Sequence, residues 1–410
     1  MLREDKIRII SLIVFLGFIL SVFFHYIMSA YCGRGYPYTT FLFIPIDKFN
    51  DFFNTCRILE GFNPYLTKTG PNSYYFPFAN LLFYLFSLFP RLTFTCFLTI
   101  FISLFFYLNF FFLSLKNKFE SHISILILTF LTYPFLFIID RGNIEGLLFI
   151  LLALYIFFYK KHRFLSTLFL SFAIALKGYP LLFSLILLSD KRYKDFLFLI
   201  LFTFTISMLG LCFHKGGVIA NLNFLLSGLN IANNVSVCQT SLVQRGLSIF
   251  SFIKLMLIKW HYLKNVDMFI FLRYYQWSSL FLTIVVSIYL LFHKKELWEK
   301  VFLVTALMLL LPYISVDYKL IHIFLPLYLF VSSPHADRKD LFFTLMFALL
   351  LIPKDYYFFN KVFSDAGACD ISISMPINIV ILIIMSIIIV SRKEITPQLP
   401  LKGSLYHGKK

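Results

Sequence analysis

Apolar stretches recur along the whole 410-residue chain, and polar residues collect in the gaps between them. Ile9 to Ala30 and Ile371 to Val390 contain no Asp, Glu, Lys or Arg. Each can cross a hydrocarbon core about 30 Å thick as a helix of roughly 20 residues. Runs of this kind leave no room for a large soluble domain. The pattern predicts a single all-α, polytopic membrane domain with about 10–13 transmembrane helices. Its divisions are a first span over 8–30, a long loop over 31–90, a helical core over 93–213, a large loop over 214–268, C-terminal spans over 269–391 and a tail over 392–410.

Three segments depart from plain spans. Residues 76–90 are apolar but short, and Pro90-Arg91 interrupts them. They read as an interfacial or re-entrant segment leading into a span over 93–115. Residues 164–189 are split by Lys177-Gly178-Tyr179-Pro180. A broken helix at membrane depth is tolerated only where it faces protein or a wet cavity, and a lysine there needs the same surroundings. Finally, Asp47 to Glu60 mixes apolar and polar residues at helical spacing, which suits a helix lying along the membrane surface. Gly61-Phe-Asn-Pro-Tyr65 then ends it.

Charge orients the chain. Hydrophobic residues make up 60% and charged residues 14%, against about 25% charged in a soluble domain. The net charge of +17 comes from clusters at Lys116/Lys118, Lys160/Lys161/Arg163, Lys191/Arg192/Lys194, Lys294/Lys295/Lys300, Arg338/Lys339 and Arg392/Lys393. Placing them all in the cytoplasm obeys the positive-inside rule. Both termini are then cytoplasmic, and the loops 31–90, 140–143, 177–179, 214–268, 315–318 and 354–370 lie on the outer face of a cytoplasmic (inner) membrane. Nucleic acid is not needed to explain the charge. The six Cys show no metal-site spacing. Cys96 and Cys212 read as buried thiols, while Cys32, Cys56, Cys238 and Cys369 fall in outer loops that allow a disulfide.

Polar chemistry gathers in those outer loops. Asp47 and Asp51 are four apart and share a helix face, either as a solvated face or as a general base near the membrane surface. Asp140-Arg-Gly-Asn-Ile-Glu-Gly146 packs two acids, a base and an amide between apolar runs. Ionisable groups there point to a functional site, the bland alternative being an Arg141–Glu145 pair one turn apart. Lys177 can hold a phosphate as a point charge or snorkel to the interface. Asp317, Tyr318, Lys319 and His322 form another polar group, and Arg245 or Arg273 can meet an anionic headgroup. Zinc, P-loop and dinucleotide patterns are absent from the sequence.

Taken together, several of these residues resemble glycosyltransferase family 87, a mannosyltransferase-like branch of the GT-C superfamily. The first outer loop carries an acid, then Gly-Phe-Asn-Pro-Tyr65, then Tyr74-Tyr-Phe-Pro77. Arg141-Gly-Asn-Ile-Glu-Gly146 follows, and about thirty residues later comes Ala173-Ile-Ala-Leu-Lys-Gly-Tyr-Pro180. The last match is Ser315-Val-Asp-Tyr-Lys-Leu-Ile-His322 ahead of Pro326. The family's usual Tyr-Pro-Pro is here Phe76-Pro77-Phe78, a partial match.

The resemblance implies a polyprenyl-phosphate-linked sugar as donor and a lipid-linked or surface glycan as acceptor, with the site on the outer (periplasmic) face. Its essential acid carries over to Asp51 or Asp47, with Asp51 ahead. Arg141, Asn143, Glu145, Lys177, Tyr179, Arg245, Asp317, Lys319 and His322 are the candidates for binding substrate and the donor phosphate. No cofactor is called for, and assistance by a divalent metal stays open. The expected activity is inverting transfer of a hexose, mannose or glucose, to a glycan such as a lipopolysaccharide O antigen. The competing reading is a flippase, polymerase or transporter of lipid-linked sugars.

Overall fold

The structure, a computed structural model, describes residues 1–35, 38, 49–59, 64–65, 75–238, 246–259, 266–334, 337–354, 362–364, 367–369 and 373–392. Its described residues are mostly helical, with a short antiparallel strand pair, Val362–Ser364 and Gly367–Cys369, and an isolated antiparallel bridge between Gly246 and Val316. Five described helices are long and apolar enough to cross a membrane: α1 (Arg3–Ala30), α4 (Pro90–Leu113), α10 (Tyr193–Phe213), α13 (Met268–Phe292) and α17 (Ser374–Ser391). The pair α5 (Lys118–Phe130) and α6 (Tyr133–Arg141), bent by 47° between them, is apolar enough to be a broken span or a re-entrant loop. Shorter apolar helices fill the middle, among them α7 (Glu145–Phe158), α8 (Arg163–Leu176), α9 (Ser184–Ser189), α14 (Leu297–Leu310), α15 (Phe324–Ser332) and α16 (Asp340–Leu351). The chain is thus an all-α, multi-pass membrane protein.

Burial separates the two groups of helices. Every residue of α14 from Trp298 to Leu310 is buried, so this helix is the centre of the bundle. By contrast α1 exposes Leu12, Phe15, Leu16, Ile19, Leu20 and Phe23, and α13 exposes Tyr274, Trp277 and Phe281. A helix hydrophobic all round but packed on one side has lipid as its other neighbour. Cys96 and Cys212 also lie on exposed faces, not in the core as their apolar surroundings suggested. An apolar run does not say which face points inward. Cys32 is exposed and Cys56 is buried.

The segment before α4 folds as a short separate helix. Helix α3 (Pro77–Ser87) has 11 residues, and at 1.5 Å per residue it is too short to cross about 30 Å of hydrocarbon. Pro77 and Pro90 occupy the opening turns of α3 and α4, where a missing N–H costs nothing. Within the stretch 47–60 the structure describes a helix, α2 (Asn50–Ile58).

Phenylalanine spacing roots α2 in the bundle. On α4, Phe97, Phe101 and Phe105 are four apart and stack nearly parallel, at 6.4 and 5.9 Å between ring centres. Phe135 of α6 continues the stack at 5.2 Å. At its upper end Phe52 of α2 inserts between Phe86 and Phe97, at 5.6 and 5.9 Å, and is itself buried. Deeper in the bundle Asn109 donates to Thr129 (3.0 Å) and accepts from Tyr328 (2.8 Å), tying α4, α5 and α15. Such bonds replace the hydrophobic drive that helices lack in lipid.

The basic ends of the helices are cross-linked to one another. Lys6 pairs with Asp340 at 3.0 Å and lies over the Phe330 ring. Arg392 reaches Glu299 (3.0 Å) and Asp337 (2.8 Å). Lys300 meets Asp190 at 2.5 Å. Asp51, Asp140–Glu145, Lys177–Tyr179 and Asp317–His322 gather at the opposite helix ends.

Candidate active site

Two glycine-centred turns build the site. Helix α6 ends at Gly142, which takes the left-handed conformation (φ 60°) and returns its N–H to Ile138 and Ile139. That ending is the common glycine C-cap. It throws Arg141 and Asn143, on either side of the glycine, toward one acceptor. Arg141 Nη2 lies 2.5 Å from Asp51 Oδ1, and Asn143 Nδ2 donates to Asp51 Oδ2 at 2.6 Å. The Asn143 amide oxygen meanwhile accepts from the Glu145 N–H at 2.9 Å and starts α7. Glu145 therefore points away from Arg141, and the pair that the four-residue spacing suggested does not form. Gly142 breaks the helix between them.

The second turn is the break predicted at Lys177. The chain leaves α8 there in an extended conformation (φ −148°, ψ 128°) and re-enters a 3₁₀ helix at Tyr179–Phe183. Lys177 Nζ lies 2.7 Å from Glu145, and the Tyr179 hydroxyl lies 2.5 Å from both Glu145 oxygens. His322 Nε2 completes the shell at 2.9 Å. Glu145 is completely buried (0%), whereas the Asp51 side chain keeps 21% of its surface exposed. Gly178 is required by space: a Cβ there would meet the Phe76 ring at 2.6 Å.

A further 3₁₀ helix, Asp317–Ile323, supplies the remaining groups. With three residues per turn, Lys319 and His322 eclipse one another and Asp317 falls on a different face. Lys319 lies over the Tyr179 ring at 4.4 Å and donates to the Ile314 carbonyl. Asp317, also expected to bind substrate, accepts from Tyr133 (3.1 Å) and Ser374 (3.0 Å), bracing α6 against α17. Leu247 N–H donates to Ser315 at 2.8 Å, docking the segment after Arg245 beside this helix. Asp47 and Arg245 lie outside the described residues, and Arg273 is exposed on α13.

Sequence reasoning missed two contributors. Tyr75 stands within electrostatic reach of both Asp51 and Glu145, and its only signal was its place in Tyr74-Tyr-Phe-Pro77. Phe49, before α2, sits at φ 54° and donates its N–H to the Asp140 carbonyl at 2.9 Å. A non-glycine residue in that region costs about 1–3 kcal/mol, tolerated only where surrounding contacts over-determine it. Such backbone geometry has no sequence signature.

The cluster holds the carboxylates Asp51, Asp140 and Glu145 with three cations, Arg141, Lys177 and Lys319. Arg141 lies with Asp51, and Lys177 and Lys319 lie beside Glu145. Among the described residues no three His, Cys, Asp or Glu side chains come together as a metal site.

Comparison with curated proteins and with solved structures returned no match. The model of glycosyltransferase family 87 matches residues 74–312, more than half of the chain, and takes in both glycine turns but not Asp51. The chain belongs to glycosyltransferase family 87 and is a membrane glycosyltransferase.

Proposed function

We propose that the protein moves a hexose, mannose or glucose, from a polyprenyl-phosphate donor to a lipid-linked or surface glycan on the outer face of the cytoplasmic membrane. The observation that carries this reading is the convergence of an accessible carboxylate, Asp51, with two lysines gathered around Glu145. Asp51 is the partly exposed acid and takes the proton of the acceptor hydroxyl. The hydroxyl oxygen bonds to the anomeric carbon as the bond from that carbon to the phosphate oxygen breaks, which inverts the anomeric centre. The polyprenyl phosphate leaves with the bonding pair. Lys177 and Lys319 flank Glu145, and they steady the departing phosphate. The basic helix ends face the cytoplasm by the positive-inside rule, which puts the site outside. An O antigen is one acceptor of the required kind.

Purified protein in lipid nanodiscs, given polyprenyl-phosphate mannose or glucose and lipid-linked glycan, is expected to form a new glycosidic bond. Asp51→Asn should lower the rate about 10²–10⁴-fold, the range for loss of a general base, with its thermal unfolding unchanged. Running the assay with and without EDTA tests for a divalent ion. Full activity in Asp51→Asn would remove Asp51 as the base, and movement of the lipid with no new bond would favour a flippase.

A further inference from the structure

We propose that Arg141 and Asn143 are positioning residues for Asp51 and do not hold the donor phosphate. This rests on the preceding reading for the role of Asp51, but its geometric half stands alone.

The Arg141-Gly142-Asn143 turn grips α2 at four points. Arg141 and Asn143 each take one oxygen of Asp51, at 2.5 and 2.6 Å. One residue back, the Asp140 carbonyl accepts the Phe49 N–H at 2.9 Å. Between them Gly142 presents bare backbone to α2: a Cβ there would come within 3.3 Å of Phe52 and 3.4 Å of the Phe49 Cα. Helix α2 has nine residues, far below the length at which a helix holds its own shape. The turn therefore fixes where the carboxylate stands and which way its oxygens face. A phosphate that recruited Arg141 Nη2 would compete with Asp51 for it and loosen one of these four contacts. The other two cations, Lys177 and Lys319, lie beside Glu145. The cations thus divide by role, with Arg141 serving the base and the lysines serving the phosphate.

Substitutions can separate the two roles. Arg141→Gln removes the cation, and Asn143→Asp keeps the acceptor that starts α7 while replacing the donor to Asp51 with a like charge. Both should lower kcat by on the order of 10²-fold, the cost of a reacting group misplaced by about 1 Å. The donor KM should stay within about threefold, a change worth under 1 kcal/mol, and Arg141→Lys should recover part of kcat. Binding of undecaprenyl phosphate, the leaving group without any sugar, should be unchanged in both variants and lost in Lys319→Gln. Hydrogen exchange of the 50–58 amides, which needs no substrate, should quicken in Arg141→Gln and Asn143→Asp.

Loss of undecaprenyl phosphate binding in Arg141→Gln, or a raised KM with kcat intact, would overturn the assignment. So would unchanged exchange in α2. If the wild-type protein neither binds undecaprenyl phosphate nor transfers sugar, the proposed function fails instead, and the exchange data still decide whether the turn grips α2.

Discussion

Arg141-Gly142-Asn143 and Lys177-Gly178-Tyr179 follow the same plan. In each, a glycine is flanked by a cation and a neutral donor, and both flanking side chains serve one carboxylate. They differ in what encloses that carboxylate. Asp51 stands on the short helix α2 with a fifth of its side chain open. Glu145 opens a buried helix and has a third partner, His322, from a segment nearly two hundred residues away in sequence. Similar turns thus leave one carboxylate open and enclose the other, so on the proposed reading exposure is what separates the reacting acid from the structural one.

Exchanging the acids for amides should sharpen that contrast most. Glu145→Gln leaves Lys177 and His322 facing a neutral amide in a dry site. Breaking a buried ion pair from one side costs about 3–5 kcal/mol. The variant should unfold at a distinctly lower temperature, while Asp51→Asn should unfold as the wild type does. A Glu145→Gln protein that is fully stable yet inactive would break the contrast and make Glu145 a second reagent.

The glycines should give smaller and unequal effects. Gly142→Ala meets both an unfavourable left-handed backbone and the Phe94 ring at 3.0 Å, at a cost of about 1–2 kcal/mol from the backbone alone. Gly178 has an ordinary backbone (φ −62°), so Gly178→Ala meets only the tip of the Phe76 ring. Enlarging that space with Phe76→Leu should restore Gly178→Ala and should leave Gly142→Ala unrepaired. Thermal unfolding of the single and double variants reads this directly, and equal rescue of both would show that space, not backbone, governs the Gly142 turn.

Much of this site was legible in the sequence because charge is rare in apolar surroundings. A lysine inside a broken hydrophobic run or an Arg and a Glu beside the membrane core identify themselves, and the structure brings both stretches together with Lys319 and His322. What the sequence concealed was direction. The Arg141–Glu145 spacing suggests a pair only if a continuous helix joins them, and Gly142 ends that helix. Asp317 was grouped with Lys319 and His322 by proximity, but a three-residue turn sends it to Tyr133 and Ser374. The span count was harder still: α8 and α9, or α14 and α15, are each too short to look like a crossing, and only packing shows that they fill the bundle. That Asp51 meets Arg141 and Asn143 is a matter of side-chain partners, which spacing does not encode.

The stacked rings of Phe52, Phe97, Phe101 and Phe105 have a consequence for the setting in which the protein works. They join the short helix carrying Asp51 to one of the longest lipid-facing helices, so a change in the tilt of that helix moves the carboxylate. Helices tilt to match the thickness of the surrounding bilayer, at fractions of a kcal/mol per Å. Turnover in vesicles should therefore pass through an optimum as the lipid acyl chains are lengthened, making membrane thickness a determinant of rate as well as of residence.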